Sequence, residues 1–294
     1  MKKITMFLMI GCFAFTISHA QELTSKKGFP ILPEAKDIGL AIDAVPFFYY
    51  IGNMFHGSNY TPPPTWSFPG FDDEIPMYTL QAKYFKDPKT AYRARVRVGF
   101  LSETIKNSIA DQNDIDPPIE DLVDDKWTNS QTNVVIGAGI EKRRGKGRVQ
   151  GFGGAMANVV FGSKSDRYTY GNAFDATHTN PLSTDVPWYQ TSQGIYLATP
   201  HSSRLTRNSG GLTYGIGANV FIGVEYFIAP KISLSGEFSW GGVLMITGKS
   251  TVEYENWDAS TSEVVVTKVK RGGSTYIGID NYNTGGAINI GFYF

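Results

Sequence analysis

The sequence predicts an all-β fold: an eight-stranded antiparallel transmembrane β-barrel with short turns at one end and long loops at the other. Three observations predict it. Residues Asn283–Phe294 close the chain on a strict alternation. Ile288, Ile290, Phe292 and Phe294 fall on one face, and Ala287, Asn289, Gly291 and Tyr293 on the other. That two-residue period is a strand signal. The 294 residues include 32 glycines, 16 tyrosines and 19 phenylalanines, the residues barrels use at crowded interior positions and in interfacial girdles. After Ala20 no run of apolar residues is long enough for a spanning helix, which needs about 20. A chain of this kind that crosses a membrane does so with strands, and only a closed barrel leaves no backbone group unsatisfied in lipid.

Residues 1–20 read as a secretory signal peptide. Lys2 and Lys3 precede an apolar run from Ile4 to Ile17, and Ser18-His19-Ala20 supplies small residues at −3 and −1 of a cut before Gln21. The residues before Cys12 make a poor lipobox, so ordinary secretion is expected over lipid attachment. Processing removes Cys12, the only cysteine, and with it disulfide and thiol chemistry. It also lowers Lys+Arg from 27 to 25 against 27 acidic residues, a net charge of −2. Such a balance gives no reason to expect a nucleic-acid partner.

Residues 21–36 carry Pro30 and Pro33 and read as an irregular segment; residues 37–294 form the expected barrel domain. The first strand runs from about Asp37 to Asn53, with Ile38, Leu40 and Ile42 opposite Gly39, Ala41 and Asp43. A proline-broken loop, His56–Pro76, follows. In the second strand, Met77–Phe85, Tyr78, Leu80, Ala82 and Tyr84 oppose Thr79, Gln81 and Lys83. Lys86–Lys89 is a tight turn. The third strand has the clearest alternation: Tyr92, Ala94, Val96, Val98 and Phe100 against Arg93, Arg95 and Arg97.

An acidic loop, Glu103–Asn129, leads to the fourth strand near Ser130–Lys142, where Val134, Ile136, Ala138 and Ile140 oppose Asn133, Gly137, Gly139 and Glu141. Arg143–Gly147 is the next turn. The fifth strand, Val149–Phe161, is rich in small residues and its phase is ambiguous. A long segment, Gly162–Gly210, precedes the sixth strand, in which Leu212 through Tyr226 alternate with a face holding Asn219 and Glu225. Ala229–Lys231 turns into the seventh strand, with Ile232, Leu234, Phe238 and Trp240 opposite Ser233, Ser235, Glu237 and Ser239. A last long segment, Lys249–Tyr282, contains a candidate hairpin, Thr251–Asn256 with Glu263–Lys268, that extends the wall.

The connections alternate between long and short along the chain, as the short periplasmic turns and long extracellular loops of outer-membrane barrels do. A soluble β-sandwich also has many short strands, but it gives no reason for one set of connections to be long throughout.

The aromatic-terminated final strand resembles the C-terminal signal of bacterial outer-membrane barrel proteins. The stretch Leu212–Trp240, with its glycine-rich strand, its Pro-Lys turn and an inward Glu, resembles the small OmpA-like and OmpW-like porin-family barrels of Gram-negative bacteria. The resemblance covers Asp37–Phe294, and only the barrel half of the OmpA-like family. It implies an integral protein of the outer membrane, with outer-membrane lipid and the barrel-insertion machinery as partners. That machinery is expected to recognise Ile288, Ile290, Phe292 and Phe294.

Eight strands enclose an interior just wide enough for side chains to fill. The inward face is expected to hold Asp43, Lys83, Arg93, Arg95, Arg97, Glu141, Glu225 and Glu237. Buried charges must pair or cost several kcal/mol each, so these predict an ion-pair network that plugs the lumen. The competing expectation is an arginine ladder lining an anion-selective pore.

Tyr60, Trp66, Phe68 and Phe71, set among prolines, are expected to form an interaction loop for a protein partner in an outer-membrane complex. The acidic loop matches no calcium-binding spacing, and no metal ligand or cofactor is assigned. Neither His201-Ser202-Ser203 nor His178 near Asp175 makes a catalytic constellation, so no residue is designated catalytic. The expected role is a structural or interaction component. A small solute channel is the alternative, and a lipid- or peptide-modifying enzyme the second.

Overall fold

The computed structural model describes residues 23–44, 78–114, 121–186, 188, 196–279 and 286–294. Their architecture is all-β and antiparallel. In chain order the strands are β1 (Ile38–Asp43), β2 (Tyr78–Asp87), β3 (Thr90–Ala110), β4 (Leu122–Lys146), β5 (Val149–Thr169), β6 (Leu182–Thr184), β7 (Ala198–Pro200), β8 (Ser203–Ser209), β9 (Thr213–Ala229), β10 (Ile232–Thr247), β11 (Ser250–Asp258), β12 (Glu263–Arg271), β13 (Ser274–Ile279) and β14 (Gly286–Tyr293). No helix among these residues is long and apolar enough to cross a membrane.

Eight strands pair in a closed ring. β1 to β5 pair in sequence, β5 pairs β9, β9 pairs β10, β10 pairs β14, and β14 returns to β1. Closure rests on Gly39↔Tyr293 through Asp43↔Asn289. Tight turns close one end of the ring. Asp87 Oδ1 accepts from the Lys89 amide at 2.8 Å, and Gly147 supplies the positive φ that the β4–β5 turn needs.

The alternation read from the sequence is the alternation of the ring. Leu40, Ile42, Leu80, Tyr92, Val96 and Val98 point outward and are exposed, whereas Gln81, Lys83, Arg93, Arg95 and Arg97 point inward and are buried. The fifth strand, whose phase was open, turns Phe152, Met156, Asn158 and Val160 inward and Val149, Val159 and Phe161 outward.

Three sequence expectations need correction. The stretch Glu103–Asn129 is mostly strand, not loop: β3 runs on to Ala110 and β4 begins at Leu122, with Glu103 opposite Asn129 and Lys106 opposite Lys126. Polar side chains occupy both faces there, with cross-strand pairs such as Thr104–Thr128 at 2.9 Å, and this removes the apolar period that marks a half-buried strand. Arg143–Gly147 is likewise strand as far as Lys146, and the turn is Gly147-Arg148. The segment 162–210 contains the end of β5, the β6–β7 hairpin and β8. The hairpin expected within 251–268 is present as β11 and β12.

Above the ring, β3, β4, β5, β8, β11 and β12 continue as an outer wall. Ring and wall meet at a row of glycines. Gly210-Gly211 separates β8 from β9, Gly248 separates β10 from β11, and Gly272-Gly273 separates β12 from β13. The backbones approach closely here: a Cβ on Gly211 would lie 2.0 Å from the Gly248 carbonyl oxygen, and one on Gly273 2.2 Å from that of Thr247. Residues 23–37 lie across the turn end of the ring. Ile31, 2 % exposed, packs with Phe85, Ala91, Phe227 and Tyr293, and its carbonyl accepts from the Lys231 amide at 3.1 Å.

Gly211→Val and Gly273→Val are each expected to destabilise the fold by about 1–3 kcal/mol through overpacking against backbone. Gly272→Val, with open space around it, is the control. Thermal unfolding followed by near-UV circular dichroism compares the three.

Candidate functional site

The strand pleat sets the candidate site. β3 presents every second residue inward, so Arg93, Arg95 and Arg97 stack along one line inside the ring. β4 opposes Arg93 with Gly139, and β9 faces the same interior with Gly223. These glycines leave room for long side chains where small residues line the wall.

Three buried carboxylates organise the interior. Glu237 on β10 accepts from Arg93 Nη2 at 2.7 Å and Arg95 Nη2 at 3.0 Å. Glu141 on β4 lies 3.2 Å from Lys83 Nζ, 3.5 Å from Arg93 Nη1 and 3.4 Å from Arg143 Nη1. Glu225 on β9 accepts from Arg143 Nη2, from the Tyr293 hydroxyl and from Ser233 Oγ. Gln81 joins in by accepting from Arg93 and donating to Asn289 at 3.2 Å. Carboxylates and cations here are nearly all under 5 % exposed.

Aromatic rings form the second contact of the cations. Arg93 lies over Phe221 at 4.1 Å, Lys83 over Phe152 at 4.9 Å, and Arg143 over Phe85 at 5.2 Å. Such contacts strengthen when water is excluded. An apolar layer of Val135, Val160, Val243 and Met245 lies further along the interior. The interior is thus layered: aromatic at the turn end, charged in the middle, aliphatic beyond.

The structure brings Lys83, Arg93, Arg95, Glu141, Glu225 and Glu237 into one network, with Arg97 buried on the same line. The side chain of Asp43 lies outside the described residues, as do Tyr60, Trp66, Phe68 and Phe71. On the final strand Ile288, Phe292 and Phe294 face outward and Ile290 is half-buried, while Asn289 and Tyr293 face inward. Sequence reasoning missed Arg143 by assigning it to a turn. Carrying the alternation Gly139, Glu141 one step further would have found it. It also missed Ile31, which no strand period marks.

The histidines outside the ring sit in local turns. Asp175 accepts from Thr177 Oγ1 at 2.6 Å and from His178 Nδ1 at 2.9 Å, and these bonds hold its carboxyl well below the usual carboxylate range. His201 uses Nδ1 on the Thr199 carbonyl at 2.7 Å and Nε2 on Asp185 at 3.3 Å. Both rings fasten loops.

The interior therefore offers fixed, paired charges, with cations in excess among the described residues of the network. Such a satisfied polar network stiffens the wall that carries it. Comparison of the chain with protein-family models, with curated proteins and with solved structures found no match.

Glu225→Ala leaves Tyr293 buried without its acceptor and Arg143 with Glu141 alone, and is expected to cost about 3–5 kcal/mol. Arg93→Ala and Glu237→Ala should be strongly non-additive, since they break the same pair. Denaturant titration of both single variants and the double variant measures that coupling.

Proposed function

We propose that the chain is an integral β-barrel protein of the Gram-negative outer membrane, exported by residues 1–20, with a largely plugged lumen. In this reading the long outward segments act as a structural or interaction component that docks a protein partner in a larger outer-membrane assembly. The short turns lie in the periplasm and the outer wall outside the cell.

One observation carries the reading: the apolar side chains lie outside the ring and the charges inside. Soluble proteins do not expose a continuous apolar belt of this extent. Here Leu80, Val98, Ile136, Ile216, Ile222 and Phe238 are each about half exposed or more. Outward aromatics gather at two levels. Tyr84, Tyr92, Tyr226 and Phe292 lie near the turn end, and Phe161 pairs with Tyr214 near the glycine row. Tyr226 and Tyr214 are twelve residues apart on one strand. That distance is roughly 30 Å of height at a tilt of about 40°, close to the apolar band of outer-membrane barrels.

An anion conduit is the second reading. Among the described residues of the network, Lys83, Arg93, Arg95, Arg97 and Arg143 face only Glu141, Glu225 and Glu237. That excess of positive charge suits an anion path. The ion pairs and the packed aromatics across the interior favour the plugged form.

Expressed with its signal peptide, the protein should sediment with outer membranes and migrate faster in gels when unboiled. A soluble product with no such shift would refute the barrel. Deleting Phe294 should lower the assembled fraction severalfold, and normal assembly would remove the insertion role from the final strand. In planar bilayers the wild type should pass little current. An Arg93→Ala variant that kept its stability and conducted with altered anion preference would establish the conduit instead.

A further inference from the structure

The outer wall holds a second group of arginines, outside the ring network. β5 and β8 pair over only three positions, ending at Arg167↔Arg207. Beyond them β8 continues against β11, and β5 gives way to the chain at 170–174. The gap is a crevice of about 490 Å³, with Arg167, Tyr168, Tyr170 and Phe174 on one side and Arg204 and Arg207 on the other. That volume falls within the range of small-molecule sites.

Its lining is net positive, with Arg167, Arg204 and Arg207 against Glu253 and Glu255. Arg167 and Arg207 are exposed and face each other directly across the ladder, an arrangement that is repulsive by itself. Among the described residues neither guanidinium has a hydrogen bond or an ion pair. The two carboxylates that line the crevice each pair with another cation: Lys268 holds Glu253, which stands opposite Arg207 on β11, at 2.9 Å, and Arg204 holds Glu255 at 2.7 Å. Arg204 is 5 % exposed and lies 4.4 Å from the rings of both Tyr170 and Phe174. Its Nη1 donates to the Asn172 carbonyl at 2.7 Å, yet its Nε is buried with no acceptor. A like-charged pair at the foot of an aromatic-walled crevice, with a buried orphan donor beside it, is a site short of an anion.

We propose that this crevice binds a small molecule through a carboxylate or phosphate group bridged by Arg167 and Arg207. The guanidinium fork matches either group in two-point fashion, and Tyr170 and Phe174, against Arg204, give an apolar flank to the body of the ligand. Nothing in this requires a membrane, so the site and the barrel reading fail or stand separately.

Calorimetric titration of the purified full chain in detergent, with glucose 6-phosphate, glucuronate and neutral glucose, tests the proposal. At least one of the two anions should bind saturably, and glucose should not. Arg167→Gln and Arg207→Gln should each weaken that binding by about tenfold or more. The same substitutions relieve a repulsion, so the ligand-free unfolding temperature should hold or rise. A merely structural role for these arginines would lower it. Repeating the titration in nanodiscs separates the sources of the anion. If anionic phospholipid competes with glucose 6-phosphate where phosphatidylcholine does not, the natural ligand is a lipid headgroup; equal binding in both points to a soluble anion. Saturable binding of neither anion, binding of glucose as tight as theirs, or unchanged affinity in both variants would overturn the proposal.

Discussion

Three carboxylates buried in the ring constrain everything around them. Glu141, Glu225 and Glu237 are all under 5 % exposed, and an ion so placed is tolerable only with partners at hand. Those partners come from distant parts of the chain: Lys83 from β2, Arg93 and Arg95 from β3, Arg143 from β4, Ser233 from β10 and Tyr293 from β14. The network reaches six of the eight ring strands. Closure between β1 and β14 gains from it too, because Tyr293 is both a ladder residue against Gly39 and a donor to Glu225. Gln81–Asn289 adds a side-chain tie between β2 and β14.

The polarity of the ring follows from where small residues stand. Long cations occupy the interior only because neighbouring positions such as Gly139 and Gly223 are empty of side chain. Their charged ends meet carboxylates and their faces meet Phe85, Phe152 and Phe221. Apolar residues displaced from this interior stand on the outer surface. Apart from the short apolar clusters, the ring is thus an inverted core, held from inside by directional bonds. The segment 23–37 finishes it by setting Ile31 against the aromatic layer at the turn end.

Much of this was legible in the sequence because a strand that separates two environments writes its period openly. Tyr92–Phe100 and Leu212–Tyr226 show both faces, and the charges that meet in the interior stand at the positions this period gives. Legibility failed where polar residues stand on both faces. Beyond Phe100 and before Gln131 the outer face carries Ser, Thr, Lys and Asp, and the inner face interrupts Leu101, Ile105 and Trp127 with Glu103, Asn107, Asp125 and Asn129, so the strands read as loop although their ladder is continuous. Arg143 was lost for a different reason: a cluster of Arg, Lys and Gly imitates a turn, and only its register with Phe152 shows it to be strand. The crevice was invisible because it depends on β5 and β8 parting after three pairs, and no local pattern encodes where two strands separate.

The glycine row has a consequence for how such a protein changes over time. Gly210-Gly211, Gly248 and Gly272-Gly273 lie level where β8, β11 and β12 join the ring strands, so the joint there is made of backbone without side chains. On this flank the joint is narrow, whereas β3, β4 and β5 run unbroken from ring to wall on the other flank. The hairpin of β11 and β12 hangs from the ring through glycine joints alone, so a change in its length or sequence meets the ring only at backbone. A seam of this kind is also where an engineer would cut: the ring is the chassis, and a foreign hairpin joined at the glycines would inherit a ready-made support.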